Sequence, residues 1–212
     1  MADLQRTDEW HMARLGKVTA SRIKDVLAET RSGAPSKMRD RYLAELALDR
    51  LTGQPREGYT NAAMQWGTDT EPQACAMYAL TFGEMLEEVG FVPHPTIAQA
   101  GASPDRLVGD DGLVEVKCPE SHTHMDTLVK GKVPSQYVHQ MQWQMACTGR
   151  EWCDFVSFDP RFPEPMQMFV HRVERDGEAI AAMEGAVKAF LVELDANLAT
   201  LAERYPEQAV AA

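Results

Sequence analysis

Polar and apolar residues alternate over Leu113-Val114-Glu115-Val116-Lys117. A period of two predicts a β-strand, with Glu115 and Lys117 lining a cleft on one face and Val114 and Val116 packed on a core on the other. The preceding Gly109-Asp110-Asp111-Gly112 tolerates positive φ and predicts a hairpin, so residues 105–109 form a strand folded back alongside. Further strands are predicted over 85–92, 99–102, 152–158 and 166–173. Helical spacing marks 38–52, with Tyr42, Leu43, Leu46 and Leu51 near one face and Gly53 as the stop. A loop over 53–60 leads to Asn61, which caps a helix through Trp66. Pro72 is expected to kink or restart that helix just after Glu71, a break that would aim Glu71. Thr19 or Ser21 is a natural N-cap before Arg22–Leu27, residues 135–148 form a helix ended by Gly149, and a long helix fills about 178–203 before an Ala-rich tail expected to fray. Strands flanked by helices on both sides of the sequence give an α/β or α+β fold.

Length changes this picture little: 212 residues suit one domain, 1–212. No N-terminal apolar leader and no run of roughly 20 apolar residues occurs, so a soluble, cytoplasmic protein without a membrane partner is expected. The four cysteines, Cys75, Cys118, Cys147 and Cys153, have no Cys-x-x-Cys spacing and are expected to be reduced. The net charge of −11 argues at first sight against contact with nucleic acid, yet its distribution is uneven. Residues 1–60 carry eleven Lys/Arg against nine Asp/Glu, whereas the rest carry ten against twenty-three. An acidic body with a basic N-terminal surface admits DNA at one face, though acidic composition is equally normal in proteins that never meet DNA.

The candidate chemistry lies in Ser103-Pro104-Asp105 and Glu115-Val116-Lys117. The hairpin gives Asp105 a route to the end of the sheet that holds Glu115, and two hard carboxylate donors suit Mg²⁺ or Mn²⁺. A divalent ion there would polarise a phosphodiester and acidify a bound water, with a second ion about 4 Å away serving the leaving oxygen. The Lys117 ammonium would orient the water and offset charge developing on phosphorus. Alone, a Glu-x-Lys pair on a strand is usually a solvated face, and only the Pro-Asp upstream, with a hairpin signal between, sets the two readings level.

Five stretches give the pair its context: Arg14–Ser21, Trp66–Pro72, Ser103–Asp105, Glu115–Pro119 and His139–Met145. Their order and spacing, from about Trp10 to Pro160, resemble the phage lambda exonuclease and YqaJ-like viral recombinase family. The resemblance implies a restriction-endonuclease-like core, with a central mixed β-sheet flanked by helices. It implies an active site of Glu71, Asp105, Glu115, Lys117 and Gln140, in which Asp105, Glu115, Glu71 and the Val116 carbonyl hold metal, Mg²⁺ or Mn²⁺, as two ions per site. Arg14 and Ser21 match a pocket for the 5′-terminal phosphate of DNA, and Arg31 matches a further basic position. A helix N-terminus beside an arginine is independently a ready anion site. Met64 aligns with an apolar wedge between strands at the duplex end, although a buried helical methionine is the plainer reading. Residues 1–60 then form a helical DNA-end-binding part. The implied activity is 5′→3′ exonuclease on double-stranded DNA, releasing mononucleotides and leaving 3′ tails. The implied partners are DNA ends, two further copies in a ring-shaped homotrimer, and a single-strand annealing protein.

Other constellations are weaker. Cys118, His122 and His124 lack a second ligand pair for zinc. No nucleophile elbow or oxyanion motif accompanies Cys118. Gln140, Gln142 and Gln144 spread over the faces of a helix, so only Gln140 is expected at the site. An endonuclease of the same fold, or a binding module that has lost the chemistry, are the competing functional readings.

Overall fold

The computed structural model describes residues 4–55 and 61–206, so most of the loop predicted to end at residue 60, and the tail beyond 206, lie outside the described residues. The chain opens with α1 (Asp8–Arg14), β1 (Val18–Thr19), a 3-10 turn over Ala20–Arg22, and α2 (Ile23–Val26). Two longer helices follow, α3 (Lys37–Thr52) and α4 (Ala62–Phe82). Short strands β2 (Leu86–Glu87), β3 (Val92–Pro93), β4 (Ala100–Ala102) and β5 (Arg106–Val108) precede β6 (Gly112–Lys117). Helices α5 (Ser121–Lys130) and α6 (Ser135–Thr148) lead to β7 (Trp152–Phe158), β8 (Met168–Glu174) and α7 (Gly177–Arg204).

The main sheet has the order β2-β5-β6-β7-β8, with β6 and β7 parallel and the other pairs antiparallel. A smaller sheet, β1-β4-β3, is also mixed. The mixed α/β fold expected from the sequence is therefore present, with helices over the sheets. Strand β6 is buried on both faces. Val114 and Val116 pack with Ala74, Cys75 and Tyr78 of α4, while Leu113 packs with Met141 and Met145 of α6. The expected cleft face of β6 is thus roofed by α6 at Glu115, whose exposure is 0%. Helix α6 is doubly buried: Trp143, Ala146 and Cys147 turn from the sheet into a third cluster formed with α2, α3, β4 and α7.

Local chemistry explains the element ends. Ser36 caps α3 by accepting from Arg39 N at 3.4 Å, Asn61 caps α4 by accepting from Met64 N at 2.9 Å, and Asp176 accepts from Glu178 N and Ala179 N at 3.0 Å. Gly53 and Gly149 end α3 and α6 in the left-handed region, where glycine has no Cβ penalty. Several expectations need correction. Leu51 is 44% exposed and off the buried face of α3. Residues 85–92 split into β2 and β3, which belong to different sheets. Neither Thr19 nor Ser21 caps a regular helix, since a 3-10 turn intervenes and no side-chain cap bond forms. Pro72 sits inside an unbroken α4. Helices α1 and α5 were not anticipated, because α1 buries nothing and α5 buries only His124 and Thr127. Among the described residues no helix is long and apolar enough to cross a membrane.

Candidate active site

The hairpin joining β5 to β6 pairs Arg106 with Val114, which sets Asp105 beside the end of β6. Its Oδ2 accepts from Val116 N at 2.7 Å, so the carboxylate is locked to the strand that carries Glu115 and Lys117. The period-two pattern puts those two side chains on one face, and Lys117 Nζ donates to Glu115 Oε1. The same ammonium donates to the Val116 carbonyl at 3.1 Å and lies 4.0 Å from Asp105 Oδ2. Three oxygens, two from β6 and one from the residue just before β5, therefore surround one cation.

Helix α6 supplies the roof. Gln140 Nε2 donates to Glu115 Oε1, and Gln144 Nε2 donates to Glu115 Oε2 at 2.6 Å. Gln142 points elsewhere, donating to the Glu174 carbonyl at 2.7 Å and accepting from Asp176 N at 2.9 Å. The sequence reading missed Gln144, whose signal was its i,i+4 relation to Gln140. Burial first, and the neighbouring Asp105 second, push the Glu115 carboxyl up to about 7 against the pull of Lys117. Burial disfavours the Lys117 ammonium, but Glu115 and Asp105 outweigh it and raise its pKa above the ordinary lysine value.

Glu71 reaches the same cleft from α4. This cleft, of about 570 Å³, is lined by Met64, Glu71, Asp105, Val116, Lys117 and Tyr137 among others. Burial and the charge of Asp105 raise the Glu71 pKa. Its oxygens, however, face Arg6 Nη2 at 3.0 Å and Arg106 Nη1 at 3.4 Å rather than the Lys117 cluster. The guanidinium groups, and not a helix break, orient Glu71. Met64 is 54% exposed at the cleft, so the buried-methionine reading does not hold.

No group of three His, Cys, Asp or Glu side chains able to hold a metal ion occurs among the described residues. The oxygen set is instead mixed, two carboxylates and a carbonyl, and the Lys117 ammonium already stands within it as a cation. Hard oxygens converging on a positive charge in a partly buried site fit a divalent ion such as Mg²⁺. The zinc reading finds no support: His124 is buried between Ser157 Oγ and the Met166 carbonyl, both at 2.8 Å, and His122 is exposed.

A second cleft, of about 240 Å³, gathers His11, Arg14, Lys17, Ser21, Arg22 and Tyr42 with other residues of the N-terminal part. Arg14 stacks 3.8 Å over the Trp10 ring and lies 3.5 Å from Ser103 Oγ, beside the Ser-Pro-Asp segment. Burial brings its pKa down to about 10, which still leaves it charged at neutral pH. Arg22 is tied to Asp25 and Glu45. The positive charge of this cleft comes from cationic side chains, not from a helix terminus, because α2 is only four residues long and uncapped. Arg31 is exposed in the turn between Glu29 and Pro35 and does not line the cleft.

Comparison with known proteins gives a coherent set. The model of the YqaJ-like viral recombinase domain matches residues 9–151. The crystal structure of an alkaline exonuclease, LHK-Exo, from Laribacter hongkongensis is 52% identical, with 95% of this chain and 99% of that chain covered and a TM-score of 0.88. LHK-Exo in complex with dAMP superposes equally well, with a TM-score of 0.89. A phage related exonuclease from Haemophilus somnus 129PT shares the fold at 19% identity, covering 87% of this chain and 96% of that chain, with a TM-score of 0.72. No curated protein sequence matches the chain.

Proposed function

The chain belongs to the YqaJ-like viral recombinase family, and from that premise we propose that it is a Mg²⁺-dependent 5′→3′ exonuclease on double-stranded DNA ends, releasing 5′-mononucleotides and leaving 3′ single-stranded tails for annealing. The observation that carries this reading is the convergence of Asp105, Glu115 and the Val116 carbonyl on the Lys117 ammonium at the wall of an open cleft. The complex of the 52% identical LHK-Exo with dAMP supports it, because a deoxynucleoside monophosphate is the class of product that stepwise release yields.

Asp105, Glu115 and the Val116 carbonyl would hold divalent ions, Mg²⁺ with Mn²⁺ as substitute, and Glu71 would serve a second ion once released from Arg6 and Arg106. Bound there, divalent cations supply Lewis-acid polarisation of the phosphodiester and a more acidic water. Lys117 orients the attacking water and meets the charge that develops on phosphorus, a role suited to a fixed ammonium in a partly desolvated site. Gln140 holds the Glu115 carboxylate. Arg14 and Ser21 take the 5′-phosphate in the cationic cleft, Arg31 offers a further basic contact from its exposed turn outside that cleft, and Met64 stands exposed as a wedge against the terminal base pair. We further assign the chain as a single domain, a homotrimer ring as the working assembly and a single-strand annealing protein as its partner.

The test is a linear duplex labelled at one 5′ end, with and without a 5′-phosphate, incubated in Mg²⁺ and in EDTA. Metal-dependent release of labelled mononucleotide, faster with the phosphate, is the expected result. Internal fragments, or cutting of a covalently closed plasmid, would replace the exonuclease with an endonuclease, and binding without cleavage would leave a DNA-end-binding module.

A further inference from the structure

Glu115 has no exposed surface, and both of its oxygens are engaged. Oε1 accepts from Lys117 and Gln140, while Oε2 accepts from Gln144 Nε2 at 2.6 Å. The residue at 144 is fully buried, one helical turn beyond Gln140 on the same face of α6. Its own Oε1 is buried without a hydrogen-bond partner among the described residues. Burying an unsatisfied amide oxygen is costly, and an apolar side chain of similar size would fill the space without that cost. The bond to Glu115 is what the amide gives in return. An ionised carboxylate is acceptor-only, so Nε2 facing Oε2 is the orientation that holds Glu115 in its metal-ligating form.

We propose that Gln144 is a positioning residue for the nuclease site: it fixes the Glu115 carboxylate from the side opposite Lys117, and thereby sets the affinity of the Asp105/Glu115/Val116 oxygen set for divalent metal. The proposal rests on the metal-dependent reading above. Gln142 provides the contrast, since its amide holds the backbone at Glu174 and Asp176 and touches no member of the site.

The experiment titrates Mn²⁺ calorimetrically, without DNA, into the wild type, Gln144→Met and Gln142→Met, and then measures kcat and KM on a linear duplex. Met preserves length and volume while removing the amide. Gln144→Met should bind Mn²⁺ about tenfold more weakly and lose about tenfold in kcat with KM for DNA ends little changed, as for other groups that orient metal ligands. Gln142→Met should melt at a lower temperature with Mn²⁺ affinity unchanged. Gln144→Leu repeats the measurement should the Met variant fail to fold. A folded Gln144 variant with wild-type Mn²⁺ affinity, or one whose losses merely match those of Gln142→Met, overturns the assignment while leaving the nuclease reading intact. A wild type that takes up no Mn²⁺ overturns both.

Discussion

Among the described residues, Lys117 is the only cation in contact with both site carboxylates, and it shares one short strand with Glu115. Lys117→Ala should therefore lower single-turnover cleavage by about 100-fold or more, the scale of losing one fixed charge-stabilising group, while end binding changes only severalfold. Cleavage on a labelled duplex and a gel-shift on the same duplex measure the two effects, and retained turnover would remove Lys117 from the mechanism. A second residue-scale expectation concerns pH. Asp159 is fully buried at the end of β7, and although burial opposes ionisation, bonds from Arg161 and Ser121 bring its pKa down to about 2. Its folded value lies below the unfolded one, so it contributes stability above about pH 4 that is lost as pH falls through about 2, at most about 2 kcal/mol. The urea midpoint of Asp159→Asn should lie below that of wild type at pH 7, with the gap narrowing as pH drops from 4 towards 3. Asp105, Glu115 and Lys117 were legible in the sequence because a period of two and a hairpin signal put them together without tertiary information. Gln144 was legible only through its i,i+4 relation to Gln140, since choosing among three glutamines at alternate positions otherwise requires knowing which face of α6 meets β6.

At the scale of elements, the site depends on two short segments brought to one place. Strand β4 is the middle strand of the smaller sheet, and it runs directly into Ser103-Pro104-Asp105. A Cβ on Gly101 would stand 2.2 Å from Phe91 Cζ and 2.6 Å from the Val92 carbonyl oxygen. The ring could turn, but the carbonyl belongs to the paired strand β3 and cannot yield. Gly101→Ala should cost about 1–3 kcal/mol, seen as a lower urea midpoint with an unchanged slope. Because the strand carries Asp105 at its exit, the folded fraction should also show reduced kcat, and wild-type kinetics with wild-type stability would refute the argument. The long helices, β6 and β7 were readable because each buries a continuous stripe or run of residues. Strands β2 and β3 were merged, since two-residue strands carry no period, and which sheet each joins is decided by its partner. Pro72 does not restart the helix: packing of Ala74, Cys75 and Tyr78 against β6 keeps α4 continuous across the proline despite the local penalty.

For the whole molecule, charge and assembly have to be considered together. The chain is strongly acidic, and its basic groups are concentrated in residues 1–60, which also supply most of the cationic cleft. General attraction to duplex DNA is therefore weak, and few phosphates are neutralised per monomer, which predicts a shallow salt dependence of binding. To stay engaged between nucleotides, an exonuclease with so acidic a body has to hold its substrate by something other than bulk charge. Enclosure of the duplex by a closed ring does this by topology, since release then requires reaching an end rather than breaking a handful of ion pairs. Apolar side chains such as Leu80, Met85, Val129 and Val192, exposed between 70% and 84%, offer surface that an assembly can cover. The trimer proposed here predicts light scattering at three times the chain mass, independent of salt. It also predicts that unlabelled duplex added in excess after initiation leaves digestion of already engaged molecules unaffected. A monomer at working concentration would overturn the ring, and digestion halted at once by the competitor would show that the protein dissociates between nucleotides, leaving Arg14 and Ser21 to capture each new end afresh.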